Sequence, residues 1–129
     1  MISAEPTVSN VTIRAELVLD DEGRPIVVRP RSGKFGHYKV RLWLEGVPED
    51  AHAVTYVLHD SYRDPVRDVL DGPSFELDVT TYGDYELTVN VRRRRFTEKF
   101  CVRISDALAA SHQSPTPAVA AAISDIRSN

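Results

Sequence analysis

The sequence predicts an all-β fold: an immunoglobulin-like β-sandwich of about 7–8 antiparallel strands, followed by an alanine-rich, partly helical C-terminal tail. Three observations predict it. Six segments alternate apolar and polar residues with a period of two, turn-forming residues separate these segments, and no long helical pattern interrupts them. Alternation of this kind is typical of antiparallel strands that bury one face and expose the other.

The six segments each place their apolar side chains on one face, because successive residues of a strand point to opposite sides. The apolar positions are Val11, Ile13, Ala15 and Leu17; Val40, Leu42 and Leu44; Val54, Tyr56 and Leu58; Phe75, Leu77 and Val79; Tyr85, Leu87, Val89 and Val91; and Phe100, Val102 and Ile104. A short additional strand is predicted in the segment IVVRP. Pro25 and Pro30 confine that strand to the edge of a sheet.

The chain is expected to have three parts: an N-terminal extension at 1–9, one folded domain at 10–105, and a linker with a short helix at 106–129. The last boundary rests on a change of pattern. After Ile104 the alternation stops and the sequence becomes rich in alanine.

A helix is predicted near the end of this tail. Thr116 is a candidate N-cap, and Pro117 suits the first helical position because its missing N–H would have no partner there. Val119, Ile123 and Ile126 would then share one helical face. Two alternatives stay open: the helix docks on the sandwich, or it begins a further domain of a longer chain.

Composition and charge exclude several classes of protein. The chain has 129 residues, 42% of them hydrophobic and 27% charged, as in a globular domain that builds its own core. No apolar run approaches the roughly 18 residues that a membrane helix needs, so we expect no membrane partner. The segment MISAEPTVSN lacks the pattern of a signal peptide, so we expect a cytoplasmic protein. The net charge of −3 argues against nucleic-acid binding, and the single cysteine, Cys101, excludes an intramolecular disulfide.

Four consecutive arginines, Arg92 to Arg95, have two interpretations. They form a candidate phosphate-binding patch, because clustered guanidinium groups attract phosphates even on an acidic domain. They also join two strand-like segments, LTVNV and FTEKFCVRI, where charges keep the end of a hairpin solvated. The second interpretation is favoured, because runs of charge are usually solvated surfaces.

The segment HDS at residues 59–61 has the residue types of a hydrolase triad, but we expect no catalysis. On a strand, His59 and Asp60 would point to opposite faces and could not pair as base and orienting carboxylate. No G-x-S-x-G nucleophile motif occurs. We also expect no metal and no cofactor, because the histidines lack the clustered spacing of metal ligands. These histidines are His37, His52, His59 and His112.

Two tyrosines at predicted strand ends are candidate binding residues. If the strand continues past Leu58, His59 and Ser61 share a face at its end, and Tyr62 follows them. Tyr82 precedes Gly83, at which the backbone is unusually free. If both strand ends lie at the same end of the sandwich, the two tyrosines face each other across a gap. The alternative is that both are loop aromatics packed on their own strands.

The segment VTYVLHDSYRDPVRDVLDGPSFELDVTTYGDYEL resembles the centre of a YEATS domain. In that family a strand ending in L-H-x-S/T-F/Y is followed by x-x-P and later by G-Y/W-G/A-x-F. The flanking segments VTIRAELVL and HYKVRLWLEG also resemble strands of the family, so the likeness covers about residues 10–104 and is greatest to the prokaryotic branch. The residues in register are Leu58, His59, Ser61, Tyr62, Pro65, Phe75, Tyr82, Gly83 and Tyr85.

The resemblance implies an immunoglobulin-fold reader that binds acetyl- or crotonyl-type lysine without catalysis. Tyr62 and Tyr82 would be the two aromatic walls. The Ser61 hydroxyl would bond the acyl amide, and the backbone N–H of Tyr82 would hold the acyl carbonyl. His59 would orient Ser61, and Gly83 would keep the wall open. The implied partner is an acylated lysine on a protein or peptide.

The sequence departs from the family pattern at three places. Thr81 stands where the family usually has glycine, and Asp84 where small residues or glutamate occur. In the divergent loop GKFGHY, Phe35 or His37 is expected as a third wall. A different class of function is also consistent with the fold: an immunoglobulin-like interaction domain of a longer protein, with no acyl-lysine ligand.

Overall fold

A computed structural model describes residues 9–28, 36–70, 72 and 74–129. Within this part of the chain there are eight strands and two helices. The strands are β1 (Thr12–Leu17), β2 (Val27–Val28), β3 (His37–Glu45), β4 (Ala53–Val57), β5 (Val66–Val69), β6 (Leu77–Thr81), β7 (Glu86–Arg92) and β8 (Thr97–Arg103). The helices are α1 (Ile104–Ser111) and α2 (Pro117–Ser128).

The strands form two antiparallel sheets that share one core, which confirms the predicted all-β sandwich. In the first sheet, β3 pairs with β1, β2 and β6. In the second, the order is β5-β4-β7-β8. As predicted, the segment IVVRP contributes a short edge strand, in which Val27 pairs with Tyr38 and Val28 with His37.

The core consists of the side chains that the period-two pattern assigned to the inner faces. Most are buried, whereas Val11, Leu77, Phe100 and Val102 are half-buried and pack against the rest. Burying each Val, Leu, Ile or Phe fully contributes about 1.5–3 kcal/mol, so this shared core is the main source of stability.

Several strand boundaries differ from the prediction; Ile104, for example, begins α1 instead of ending the last strand. β4 ends at Val57 rather than at His59, and the backbone N–H of Leu58 donates to the carbonyl of Pro65 across the base of the loop that follows. Phe75 precedes β6 and has a left-handed backbone with φ of 50°. β5 was not predicted, because its residues at the sheet edge are exposed or half-buried and show no apolar face.

The C-terminal tail contains the predicted helix and one that was missed. In α2, the hydroxyl of Thr116 accepts a hydrogen bond from the N–H of Val119, and Pro117 is the first helical residue. The predicted face is buried, so α2 docks on the sandwich. The residues expected to form a linker begin instead with α1, whose Leu108 lies in the core.

α1 was missed because it has no local capping signal. Arg103 occupies the N-cap position, but its side chain makes no capping hydrogen bond. Neither described helix has the length and apolar character that crossing a membrane requires.

Candidate functional site

A cleft of about 300 Å³ lies where the chain leaves β4 and β6. Six predicted site residues line it: His37, His59, Ser61, Tyr62, Tyr82 and Gly83. The seventh, Phe35, lies outside the described residues. The fold therefore brings together residues that are up to 46 positions apart in the chain, from His37 to Gly83. Their roles in binding stay predictions.

The loop after β4 places His59 against Ser61. The strand does not continue past Val57, so the condition under which these residues would share a strand face is not met. A turn closed by the N–H of Tyr62 on the carbonyl of His59 brings them together instead. The hydroxyl oxygen of Ser61 then lies 2.8 Å from Nδ1 of His59. Because this segment is a turn, the strand argument that separated His59 from Asp60 does not apply either.

The backbone of Ser61 decides which nitrogen of His59 carries the proton. The N–H of Ser61 also donates to Nδ1, at 3.1 Å, and an N–H has no lone pair to accept with. Nδ1 must therefore be unprotonated, and the Ser61 hydroxyl donates its own hydrogen to it. The lone pairs of the Ser61 oxygen are then left to accept a hydrogen bond from a ligand N–H.

Tyr62 is held rigidly at the base of the cleft. Its hydroxyl donates to the backbone carbonyl of Thr80 at 2.5 Å and accepts from the hydroxyl of Tyr85 at 3.2 Å. The rings of Tyr62 and Tyr85 pack edge to face, with centroids 5.7 Å apart. Burial raises the pKa of both phenols, so both stay neutral at physiological pH. The base of the cleft is polar but uncharged.

Tyr82 forms an exposed wall directly after β6. Its side chain is 40% exposed, and its ring stacks on His37, with centroids 5.2 Å apart and an angle of 26°. The hydroxyl of Thr81 donates to the carbonyl of Gly83 at 2.7 Å, which ties the loop on both sides of Tyr82. Threonine at residue 81, where the family usually has glycine, thus restricts this loop.

Asp84 joins the same loop to α1. Its carboxylate accepts from the N–H of Ser105 at 3.0 Å and from the Ser105 hydroxyl at 2.7 Å, and Arg103 lies 3.6 Å away. A carboxylate at a helix N-terminus satisfies free N–H groups and interacts favourably with the helix dipole. Asp84 therefore caps a helix that starts about twenty residues later.

Six further residues line the cleft that sequence reasoning did not assign to it: Arg63, Thr80, Thr81, Asp84, Tyr85 and Asn129. Tyr85 was assigned to the core and to the family motif but not to the site, although its hydroxyl donates to that of Tyr62. Asn129 lines the cleft from the end of α2, and a Cβ atom at Gly83 would lie 3.1 Å from its backbone carbonyl. No local sequence signal points to Asn129, because only the docking of α2 brings it there.

The arginine run has a structural role in the described part of the chain. Arg93 pairs with Asp50 at 2.9 Å and with Glu98 at 3.1 Å, and its guanidinium lies over the ring of Phe96. Arg92 lies 3.4 Å from Asp68. These contacts favour the interpretation as a hairpin end. Across the same residues, no three His, Cys, Asp or Glu side chains are placed to hold a metal ion together.

Comparison with known proteins gives one family and a set of related folds. The family model described as the prokaryotic YEATS domain matches residues 38–103, just over half of the chain. No curated protein sequence matches.

Among solved structures, the yeast AF-9 homolog Yaf9 matches with 22% identity over 75% of this chain and 71% of that one, at a TM-score of 0.51. The Yaf9 YEATS domain recognising a succinylated histone peptide matches with 18% identity over 78% of each chain, at 0.50. The same domain bound to an acetylated histone sequence matches with 20% identity over 78% and 77%, at 0.48. At these identities the likeness to the first two of these structures shows the fold alone.

Proposed function

This chain belongs to the prokaryotic YEATS domain family, and from that premise we propose that its cleft binds an acylated lysine without catalysing a reaction. One observation carries the proposal furthest. His59, Ser61, Tyr62, Tyr82 and Gly83, which the family resemblance assigns to acyl-lysine binding, all line a single cleft. The cleft volume of about 300 Å³ is at the lower end of the range for small-ligand sites.

The chemistry of the cleft suits a neutral, flat amide. Acylation removes the lysine charge and leaves a planar amide with an apolar tip. Tyr62 and Tyr82 offer aromatic surface to that group, and each good aromatic contact adds about 0.5–1.5 kcal/mol beyond area burial. The Ser61 oxygen, with its hydrogen directed to His59, accepts the amide N–H.

Unmodified lysine fits this cleft poorly. Its ammonium group would lose strong hydration, and the phenols of Tyr62 and Tyr85 stay neutral because burial raises their pKa. The carboxylate of Asp84 is already engaged by Ser105 and Arg103. The cleft therefore offers no free anion at that residue to compensate a buried cation.

A solved relative supports the class of ligand. The Yaf9 YEATS domain recognises a succinylated histone peptide. By extension we propose acyl-lysine peptides as ligands here, with crotonyl preferred over acetyl because its longer planar group stacks better. The small contact area makes affinities of micromolar or weaker the expectation.

Titration of acetyl-lysine, crotonyl-lysine and unmodified lysine peptides tests the proposal. We expect saturable binding of the acylated peptides, lost in Tyr62→Ala and in Tyr82→Ala. Phe96→Ala is the matched control, because it truncates an aromatic ring at the β7–β8 hairpin, at the other end of β4 from the cleft. Absence of saturable binding of any acyl-lysine peptide up to millimolar concentration would refute the proposal.

A protein-interaction domain without an acyl-lysine ligand is the second candidate. β5 is an edge of its sheet, and Val66 and the adjoining Leu70 are 57% and 68% exposed. An edge with exposed apolar side chains is suited to pair with a strand of another chain. Val66→Lys would abolish such pairing, which sedimentation would show as a loss of association. It would leave acyl-lysine peptide binding intact, which peptide titration would show.

A further inference from the structure

The end of α2 lies against the cleft beside one of its proposed walls. Asn129, which follows α2, lines the cleft together with Tyr82 and Gly83. A Cβ atom at Gly83 would lie 3.1 Å from the backbone carbon and oxygen of Asn129, which is closer than ordinary van der Waals contact. The glycine at this position thus lets the end of α2 approach the Tyr82 loop.

A chain of hydrogen bonds connects this contact to β3. The hydroxyl of Tyr38 donates to the Asp125 carboxylate at 2.8 Å, and the side-chain amide of Asn129 donates to the Asp125 backbone carbonyl at 2.7 Å. His37, which precedes Tyr38 in β3, stacks on Tyr82. Strand β3 therefore holds Tyr82 directly and holds the end of α2 through Asp125.

The end of α2 is a wall of the cleft and does not fill it. With Asn129 in place the cleft still has about 300 Å³, enough for a small ligand. The helix itself is part of the core, since Val119, Ile123 and Ile126 are buried against the sandwich. Docking of α2 therefore shapes the cleft and leaves it open to a ligand.

We propose that the end of α2 is a positioning element of the binding site: Asn129 packs on Gly83 and holds the Tyr82 wall, so that docking of α2 and binding of an acylated lysine favour each other. This inference rests on the proposed function. Because the ligand binds the docked form, weaker docking lowers the apparent affinity, and the bound ligand in turn strengthens docking.

Tyr38→Phe tests the coupling from outside the cleft. The substitution removes the hydrogen bond to Asp125, and Tyr38 is not among the residues that line the cleft. We expect the affinity of the full chain for a crotonyl-lysine peptide to fall by up to about tenfold, because one hydrogen bond that supports the last turn of α2 can change the affinity by no more than it contributes to docking. Amide hydrogen exchange in α2 should become faster in this variant, and the peptide should slow it in the wild type.

Two further variants make the outcome decisive. Tyr56→Phe is the control, because it removes a hydroxyl that donates to the carbonyl of Phe75 in the core, and we expect it to keep wild-type affinity. Gly83→Ala pushes directly on Asn129 and should lower the affinity and speed exchange at the end of α2.

Three other outcomes of these measurements would refute the coupling. If the wild type binds but Tyr38→Phe and Gly83→Ala bind equally well, the coupling is refuted and the proposed function stands. The coupling is also refuted if Tyr56→Phe loses as much affinity as Tyr38→Phe, since the loss would then reflect general destabilisation. A wild type that binds no acyl-lysine peptide refutes the proposed function, and the coupling with it.

Discussion

Asp84 caps helix α1 through Ser105, accepting hydrogen bonds from both its backbone N–H and its hydroxyl. The two residues are 21 positions apart in the chain, and one belongs to the cleft while the other belongs to the C-terminal helices. The loop that carries Tyr82 is thus attached to the part of the protein that follows the last strand. A substitution in this loop should therefore affect the stability of the C-terminal helices, and a substitution in those helices should affect the loop.

Asp84→Ala should destabilise the fold. It leaves the first turn of α1 without a cap, a loss that typically costs about 0.5–2 kcal/mol in the free energy of unfolding. Urea denaturation measures this directly. Glu49→Ala is the control, because Glu49 is an exposed acidic residue outside α1. Equal stability of the two variants would contradict the capping role.

Ser61→Ala should weaken acyl-lysine binding and leave stability nearly unchanged. Ser61 is exposed, so its hydroxyl contributes little to folding. In the complex, its loss leaves the ligand amide N–H unpaired at a cost of about 1–3 kcal/mol, which is roughly five- to 150-fold in affinity. Ser61→Thr keeps the hydroxyl and should bind more tightly than Ser61→Ala. Peptide titration and thermal unfolding give the two readouts.

Arg93→Ala should destabilise the protein more than Arg94→Ala. The Arg93 side chain is only 16% exposed and pairs with Asp50 and Glu98, whereas Arg94 is exposed. Removing Arg93 leaves Asp50 and Glu98 without the guanidinium that both contact, so the free energy of unfolding should decrease, while surface changes usually stay within about 0.5 kcal/mol. Urea denaturation of the two variants gives the free energies of unfolding to be compared. A steep, salt-dependent affinity for nucleic acid that Arg94→Ala removes would instead favour a phosphate-binding patch.

The free energy of unfolding should decrease at acid pH, partly because Glu98 becomes protonated. Burial by itself would raise the pKa of Glu98, but hydrogen bonds from Ser9 and Arg93 outweigh it, so the pKa lies below its ordinary value of 4.5. A depressed pKa means that the folded state favours the carboxylate. Its contribution is therefore present above about pH 4.5 and is lost as the pH falls through the folded-state pKa.

The variant Glu98→Gln isolates this contribution. Below pH 4.5 its free energy of unfolding should depend less on pH than that of the wild type. Glu49→Gln, at an exposed position, should keep the wild-type slope. Identical slopes for wild type and Glu98→Gln would show that Glu98 does not contribute.

Ile126→Ala should show that α2 is an integral part of the fold. Ile126 is fully buried, and truncating a buried isoleucine costs about 2–5 kcal/mol. Arg127→Ala, one residue further on, changes an exposed side chain and should have little effect. Thermal unfolding compares the two. If Ile126→Ala lowered the melting temperature only slightly, α2 would dock only weakly.

The amino-acid sequence by itself determined the features that are encoded locally. The period of two identified the inner faces of the strands, because alternation along one strand already fixes which side chains reach the core. Thr116 and Pro117 marked the start of α2 because a helix cap lies within four residues of its partners. The motifs around Ser61 and Gly83 pointed to the cleft, though only through their likeness to a family.

Only the tertiary structure decided the features that depend on distant partners. α1 was missed because its cap is Asp84, which lies in another loop. The approach of His59 to Ser61 comes from a turn that the N–H of Tyr62 closes on the carbonyl of His59, and a pattern of alternation carries no information about such a closure. Asn129 reaches Gly83 because burial of the apolar face of α2 brings the end of the helix to the cleft. Contacts of this kind are set by packing between elements, which no local pattern of residues specifies.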